Sequence, residues 1–344
     1  MLDDLKYIHE KDGQDALGIA KKQWEQLAYG FDIGDWQINH VTNVVFAGMG
    51  GSALAALLAQ SWPGFEIPFE ISRDYSIPSY VSDTTLFIAS SYSGNTEETI
   101  EAIGLAQAKG AQIAVITAGG QLQTIAQDNN LPLALLPSGI QPRFATLYSF
   151  KALITILEHA NLLDKTEASK ELARAGEFLH NVIAKWRPDV RTDQNLAKQL
   201  ALELSGSTPV VYAGPKLFPT AYKWKISFNE NAKNVAWCNQ FPEFNHNEFL
   251  GWSSHPIDKP YKIIQLVSHL EHERVQKRFE VSNKLLSGRW PHPLTVEIQG
   301  SDIFEQLLYA VALGDFVSLY LALLNGLNPT PVDLIEKFKT DLNN

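Results

Sequence analysis

Apolar and polar positions along the chain fall into two successive runs of alternating strand and helix signals. Short apolar runs at 44–48, 69–73, 86–90, 112–117 and 131–136 predict five strands. Between them, 52–61 predicts a small-residue helix, and 97–109 predicts another, closed by Gly110 as a C-terminal cap. Longer helices are expected at 147–163 and 169–186, and Arg187-Pro188-Asp189 marks the break before the second run. There, strands at 209–214, 261–267 and 294–298 alternate with helices at 218–229 and 272–286. Strands separated by helices imply right-handed βαβ units and a parallel sheet covered on both faces. The expected fold class is therefore α/β, with two doubly wound parallel-sheet domains that read as degenerate copies of one unit. The first forty residues carry a helical pattern through Leu17, Ala20, Trp24 and Leu27. The expected division is 1–40 as an N-terminal helical segment, 41–187 as the first domain and 188–344 as the second with C-terminal helices. A length of 344 residues suits two cores better than one. The apolar stretch 303–327 is interrupted by Glu305, Gln306, Asp315, Ser318 and Asn325, so it reads as a buried helix, broken at Gly314-Asp315, rather than a membrane span.

Two loops carry candidate chemistry: Gly48-Met49-Gly50-Gly51-Ser52 and Ser91-Tyr92-Ser93-Gly94-Asn95-Thr96. Each follows a predicted strand and opens a predicted helix, where free N–H groups and the positive end of the helix dipole point outward. Gly51 lets a ligand approach the backbone, and Ser52, Ser91, Ser93 and Thr96 add hydroxyl donors. Two such loops on adjacent strands suit a small, doubly charged anion, and a phosphate monoester is the expected ligand. The same hydroxyls also suit turns and helix caps, and both roles fit one loop. A competing reading exists, because Gly48-x-Gly50-x-x-Ala53 with Glu70 satisfies a dinucleotide fingerprint and points to an NAD-dependent enzyme. A dinucleotide site has no need of the second serine-rich loop, which favours the phosphate monoester.

A net charge of -10 argues against nonspecific nucleic-acid binding. Cys238 is the only cysteine, so no intrachain disulfide forms and a reducing compartment fits. The acidic start Met1-Leu2-Asp3-Asp4 lacks a signal-peptide core, and a cytoplasmic protein is expected. His269 and His272 with Glu271 and Glu273 lack a metal-binding spacing and are expected to form a solvated helix start. Aromatic residues between Trp224 and Trp252 are expected in the core or a subunit contact.

The paired loops resemble the sugar isomerase (SIS) domain, whose fold is flavodoxin-like. Pro142-Arg143, Asn229-Glu230-Asn231-Ala232-Lys233, Pro242-Glu243-Phe244-Asn245-His246-Asn247-Glu248 and Gly326-Leu327-Asn328-Pro329-Thr330-Pro331-Val332 resemble one family within it. That family is the bifunctional phosphoglucose/phosphomannose isomerases, built from two SIS domains. The resemblance implies interconversion of glucose 6-phosphate, mannose 6-phosphate and fructose 6-phosphate through a cis-enediol, with no metal or organic cofactor. It implies a homodimer in which His246 reaches the neighbouring active site. Glu230 matches the base that moves a proton between C1 and C2, with Asn229 and Asn231 expected to orient it. Arg143 matches a fixed cation beside the developing enediolate. His246 matches the ring-opening group, its tautomer expected to be fixed by Asn245, Asn247 and Glu248. Thr330 and Lys337 match two residues seven apart that contact sugar oxygens, the threonine admitting both C2 epimers. Two other readings compete: a phosphosugar sensor, which has no need of Glu230 and His246, and an aminosugar-phosphate isomerase, whose glutamine-dependent form needs an amidotransferase domain.

Overall fold

The computed structural model describes residues 1–254 and 260–342. The chain folds into two compact units, one of Lys22–Phe178 and one of Met1–Lys21 with Leu179–Asn344. The second unit thus begins with α1 (Leu5–Lys11) and α2 (Ala16–Lys21). Asp4 caps α1 through Lys6 N and Tyr7 N, and the buried Asp12 carboxylate accepts from the first N–H groups of α2. Burial holds the Asp12 carboxyl above the ordinary carboxylate range.

The first unit contains β1 (Asn43–Ala47), β2 (Phe69–Ser72), β3 (Thr85–Ser91), β4 (Gln112–Thr117) and β5 (Leu133–Leu135). All pair in parallel in the order β2-β1-β3-β4-β5. Its helices are α3 (Leu54–Ser61), α4 (Glu97–Ala108), α5 (Gly120–Asp128), α6 (Thr146–His159) and most of α7 (Lys165–Ile183). β3 is buried at every position, which is why it reads as a continuous apolar run rather than an alternation. Val45, Phe87 and Val115 of three strands pack with Ala102, Ile103 and Ala106 of α4 and Leu122 and Ala126 of α5. Chain order β2-β1-β3 reverses direction between β1 and β3, so the loops after these strands flank the switch point where α/β sheets bind ligands.

The second unit continues with α8 (Leu196–Leu204), β6 (Thr208–Ala213), α9 (Phe218–Asn231), β7 (Trp237–Gln240), α10 (Glu248–Gly251) and β8 (Tyr261–Val267). It ends with α11 (Glu273–Leu285), β9 (Leu294–Glu297), α12 (Ile303–Leu324) and α13 (Asp333–Leu342). Its parallel sheet runs β7-β6-β8-β9, the same winding with one strand fewer. β7 carries no apolar run: Trp237 is exposed and Asn239 and Gln240 are polar, so the sequence pattern gives no strand there.

The break expected at Gly314-Asp315 is absent, and α12 is a continuous helix of 22 residues. A Cβ on Gly314 would lie 2.4 Å from the Trp224 indole, so glycine makes room for α9 rather than ending α12. Asp315 is charge-paired to the buried Lys223 of α9 and accepts from Ser227 at 3.0 Å, which keeps a carboxylate inside the helix pair. α12 is long and apolar enough to cross a membrane, but 94% of its apolar 18-residue stretch is buried inside the protein.

Candidate active site

Each predicted phosphate loop stands at the carboxyl end of its strand. After β1 the chain turns through a 3-10 segment, Gly50–Ala53, into α3. Ser52 Oγ accepts from Tyr92 N at 3.1 Å, which ties the first loop to the second. Within the second loop, Ser91 Oγ lies 2.7 Å from Thr96 Oγ1 and 3.4 Å from Ser93 Oγ, so three hydroxyls cluster. Gly94 N donates to Ser91 Oγ and Asn95 N to Ser93 Oγ. Thr96 is the N-cap residue of α4, yet its hydroxyl makes no capping bond and turns to Ser91 instead. The start of α4 therefore has no side-chain cap from Thr96, while Glu97 and Glu98 place acidic groups in its first turn.

Gly94 has φ +70° and its position admits no side chain, since a Cβ would fall 1.8 Å from Gly119 O. The turn after β4 therefore braces the second loop, and Asn95 Oδ1 accepts from Gln121 N there at 3.0 Å. Sequence reasoning missed this third turn, although the pair Gly119-Gly120 after a strand was its signal. It also missed Tyr92, whose hydroxyl donates to Pro137 O at 2.8 Å and accepts from Ile140 N. Burial raises the Tyr92 hydroxyl above its ordinary value.

Arg143 lies in the 3-10 turn Pro142–Phe144, and only 1% of it is exposed. Its Nη1 donates to Gln141 Oε1 at 3.3 Å and its Cζ sits 4.8 Å from the Phe144 ring centre. The turn is held from outside: Gln26 Nε2 donates to Phe144 O at 2.8 Å and Gln26 Oε1 accepts from Tyr148 N. A Cβ on Gly51 would meet Arg143 N at 3.4 Å, so the bare first loop packs directly on the arginine turn. The first unit thus brings Gly51, Ser52, Ser91, Ser93, Thr96 and the backbone of Arg143 into one cluster.

The remaining predicted residues belong to the second unit. Glu230 is half-buried in the last turn of α9. Asn229 Oδ1 accepts from Ala236 N at 3.0 Å and Asn231 Nδ2 donates to Ser318 Oγ at 2.9 Å, so the flanking amides brace the helix end. Just beyond, Lys233 at φ +52° donates from Nζ to Asn328 O and Pro329 O, both at 3.0 Å. Asn325 Nδ2 adds a bond to Ala232 O. These bonds fasten the segment carrying Thr330 to the helix end carrying Glu230. Lys337 is exposed on α13.

His246 ends the 3-10 turn Glu243–His246 with its side chain exposed. Its neighbours do not hold its tautomer as expected. Asn245 bonds Arg278 and Ser282, Asn247 Nδ2 donates to Glu243 at 2.9 Å, and Glu248 accepts from Tyr212 and Asn239. They fix the turn rather than the ring. Burial and the Glu248 carboxylate together push the Tyr212 hydroxyl far above its ordinary value. The expected solvated helix start holds for His269, His272 and Glu273, which are exposed around the start of α11, and fails only for Glu271. Glu271 is buried and accepts from Lys216 N at 2.8 Å, while His272 Nδ1 caps α11 through Arg274 N.

Two domain families match the chain: the SIS domain over residues 37–159 and the bacterial phospho-glucose isomerase C-terminal SIS domain over residues 193–342. A bifunctional phosphoglucose/phosphomannose isomerase from Caldicellulosiruptor bescii is 35% identical, covering 92% of this chain and 96% of its own. A D-glucosamine-6-phosphate 4-epimerase from Sulfolobus acidocaldarius is 32% identical over 61% of this chain and 64% of its own. Among solved structures, a glucose-6-phosphate isomerase like protein from Thermus thermophilus shares the fold, with TM-score 0.67, 18% identity and 98% of each chain covered. With 35% identity sustained over nearly the whole of both chains, and both halves matched by SIS families, this chain belongs to the bifunctional phosphoglucose/phosphomannose isomerase family.

Proposed function

We propose that the chain interconverts glucose 6-phosphate and mannose 6-phosphate with fructose 6-phosphate through a cis-enediol. The observation that carries this reading is the hydroxyl cluster of Ser91, Ser93 and Thr96 at a helix start whose N-cap residue makes no capping bond. Family membership supplies the sugar. Donors from Gly51, Ser52 and the second loop hold the phosphate, which fixes one end of the open-chain hexose. Glu230 takes the C2 proton of the aldose and returns it to C1, while a proton moves from O2 to O1. The guanidinium of Arg143, always charged, stabilises the enediolate oxygen. His246 of the neighbouring subunit in a homodimer protonates the ring oxygen as the anomeric hydroxyl gives up its proton, opening the ring. Thr330 and Lys337 contact sugar oxygens, and a short threonine admits both C2 epimers. The division into SIS domains at 41–187 and 188–344, with the phosphate site in the first, belongs to the same proposal, as does a reducing cytoplasmic setting.

The Glu230→Gln variant tests the base, because it keeps shape and removes basicity. Its turnover is expected to fall roughly 10²- to 10⁴-fold while fructose 6-phosphate still binds, read by calorimetry and initial rates. Unchanged turnover would remove Glu230 from that role. A wild-type protein that binds fructose 6-phosphate without converting it would instead be a phosphosugar sensor.

A further inference from the structure

We propose that Arg278 and Ser282 of α11 are positioning residues for His246, acting through the side chain of Asn245. This deepens the reading above and rests on His246 being the ring-opening group. Both hydrogen-bonding ends of the Asn245 amide are used by α11: Oδ1 accepts from Arg278 Nη1 at 3.1 Å, and Nδ2 donates to Ser282 Oγ at 2.8 Å. Ser282 is 1% exposed, so its hydroxyl is a fixed internal anchor. The Asn245 backbone N–H donates to Pro242 O at 3.0 Å. The residue preceding His246 is therefore held at both its main chain and its side chain.

The turn is anchored on its other flanks too. Phe244 is fully buried, with its ring centre 4.8 Å from Tyr212 and 5.9 Å from Trp290. Glu248 accepts from Tyr212 of β6 and from Asn239 Nδ2 of β7 at 2.6 Å. An exposed imidazole thus stands on a base fixed from α11, β6 and β7. A solvated surface histidine has no need of such a mount. A proton donor does, because a misplacement of about 1 Å costs on the order of 10²-fold in rate. Arg278 is the informative member. It is half-buried, and its bond to Asn245 is separable from the aromatic packing beneath the turn.

The experiment compares fructose 6-phosphate with 5-deoxyfructose 6-phosphate, which lacks the hydroxyl that closes the furanose ring and so bypasses ring opening. His246→Gln is the reference and is expected to lose kcat/KM on the ring-forming substrate only. Arg278→Met is expected to lose roughly tenfold on fructose 6-phosphate, within the cost of a small misplacement, and little on the open-chain analogue. Arg278→Lys, which keeps a donor, is expected to recover most of that loss. In the Asn245→Ala background, Arg278→Met is expected to add no further loss, since both act through one bond. If His246→Gln is selective but Arg278→Met loses equally on both substrates or on neither, positioning is overturned and ring opening by His246 stands. If His246→Gln is not selective, the ring-opening reading falls and the proposal falls with it.

Discussion

Ser91 ends a fully buried strand with its hydroxyl turned toward two others, and only 1% of the residue is exposed. A buried hydroxyl cluster of this kind is useful when a charged acceptor joins it, because hydrogen bonds to charged groups are worth about 1.5–3 kcal/mol. Ser91→Ala is therefore expected to raise KM for fructose 6-phosphate roughly tenfold or more, by initial-rate kinetics. An unchanged KM would exclude Ser91 from the cradle. The glycine and hydroxyl residues of the proposed cradle, and their clustering, were legible in the sequence because strand, loop and helix start lie within a few positions of each other. Arg143 was legible as a position but not as a buried group, since its burial depends on Gln26 and Gly51, far off in the chain. The partners of Asn245 and Glu248 were illegible for the same reason: they come from α11, β6 and β7.

Between elements, the pairing of α9 with α12 decides where Glu230 stands. Lys223, Ser227 and Asn231 lie on one face of α9, four residues apart, and meet Asp315 and Ser318 of α12. Removing one partner of a buried ion pair leaves an uncompensated charge, at a cost of about 3–5 kcal/mol. Asp315→Ala is expected to destabilise the protein by that order in urea unfolding. The combined Lys223→Met, Asp315→Leu variant is expected to recover much of it, and a cost of less than about 1 kcal/mol for Asp315→Ala would show the pair to be unimportant. The sequence pattern placed both helices well, α12 because its long apolar run is a strong signal. It misread Gly314-Asp315 as a break, because glycine and aspartate in a helix look like punctuation until the Trp224 ring and the Lys223 ammonium are brought against them. Strand β7 was invisible because four half-polar edge residues carry no periodicity.

Across the whole molecule, two copies of one winding have diverged in what they do with the same turn. In the first unit, the turn from β1 to α3 is lined by Gly51 and Ser52. In the second, the turn from β6 to α9 receives the Glu271 carboxylate, which would overlap a Cβ on Gly214 and accepts from Lys216 N. The buried Glu271 carboxyl thus fills, in the second copy, the turn that the proposed phosphate site uses in the first. The doubling was legible from strand and helix alternation, but the carboxylate was not, since Glu271 lies on a different crossover. The N-terminal residues join the second unit by a charge contact: Lys198 is buried and donates to Asp3 at 3.0 Å. That bond lowers the Asp3 carboxyl below its ordinary 3.8, so the folded state binds fewer protons there than the unfolded chain. Its stabilisation is present above 3.8 and lost as pH falls through the lowered value. The destabilisation by Asp3→Asn is thus expected near neutral pH and to shrink in acid below that value, by urea unfolding at both. A difference independent of pH would contradict it.

The most direct test of the function is to incubate the wild-type protein with fructose 6-phosphate alone and follow the products by nuclear magnetic resonance. Accumulation of both glucose 6-phosphate and mannose 6-phosphate is expected. Formation of neither aldose, with the sugar phosphate bound and unchanged, would contradict it.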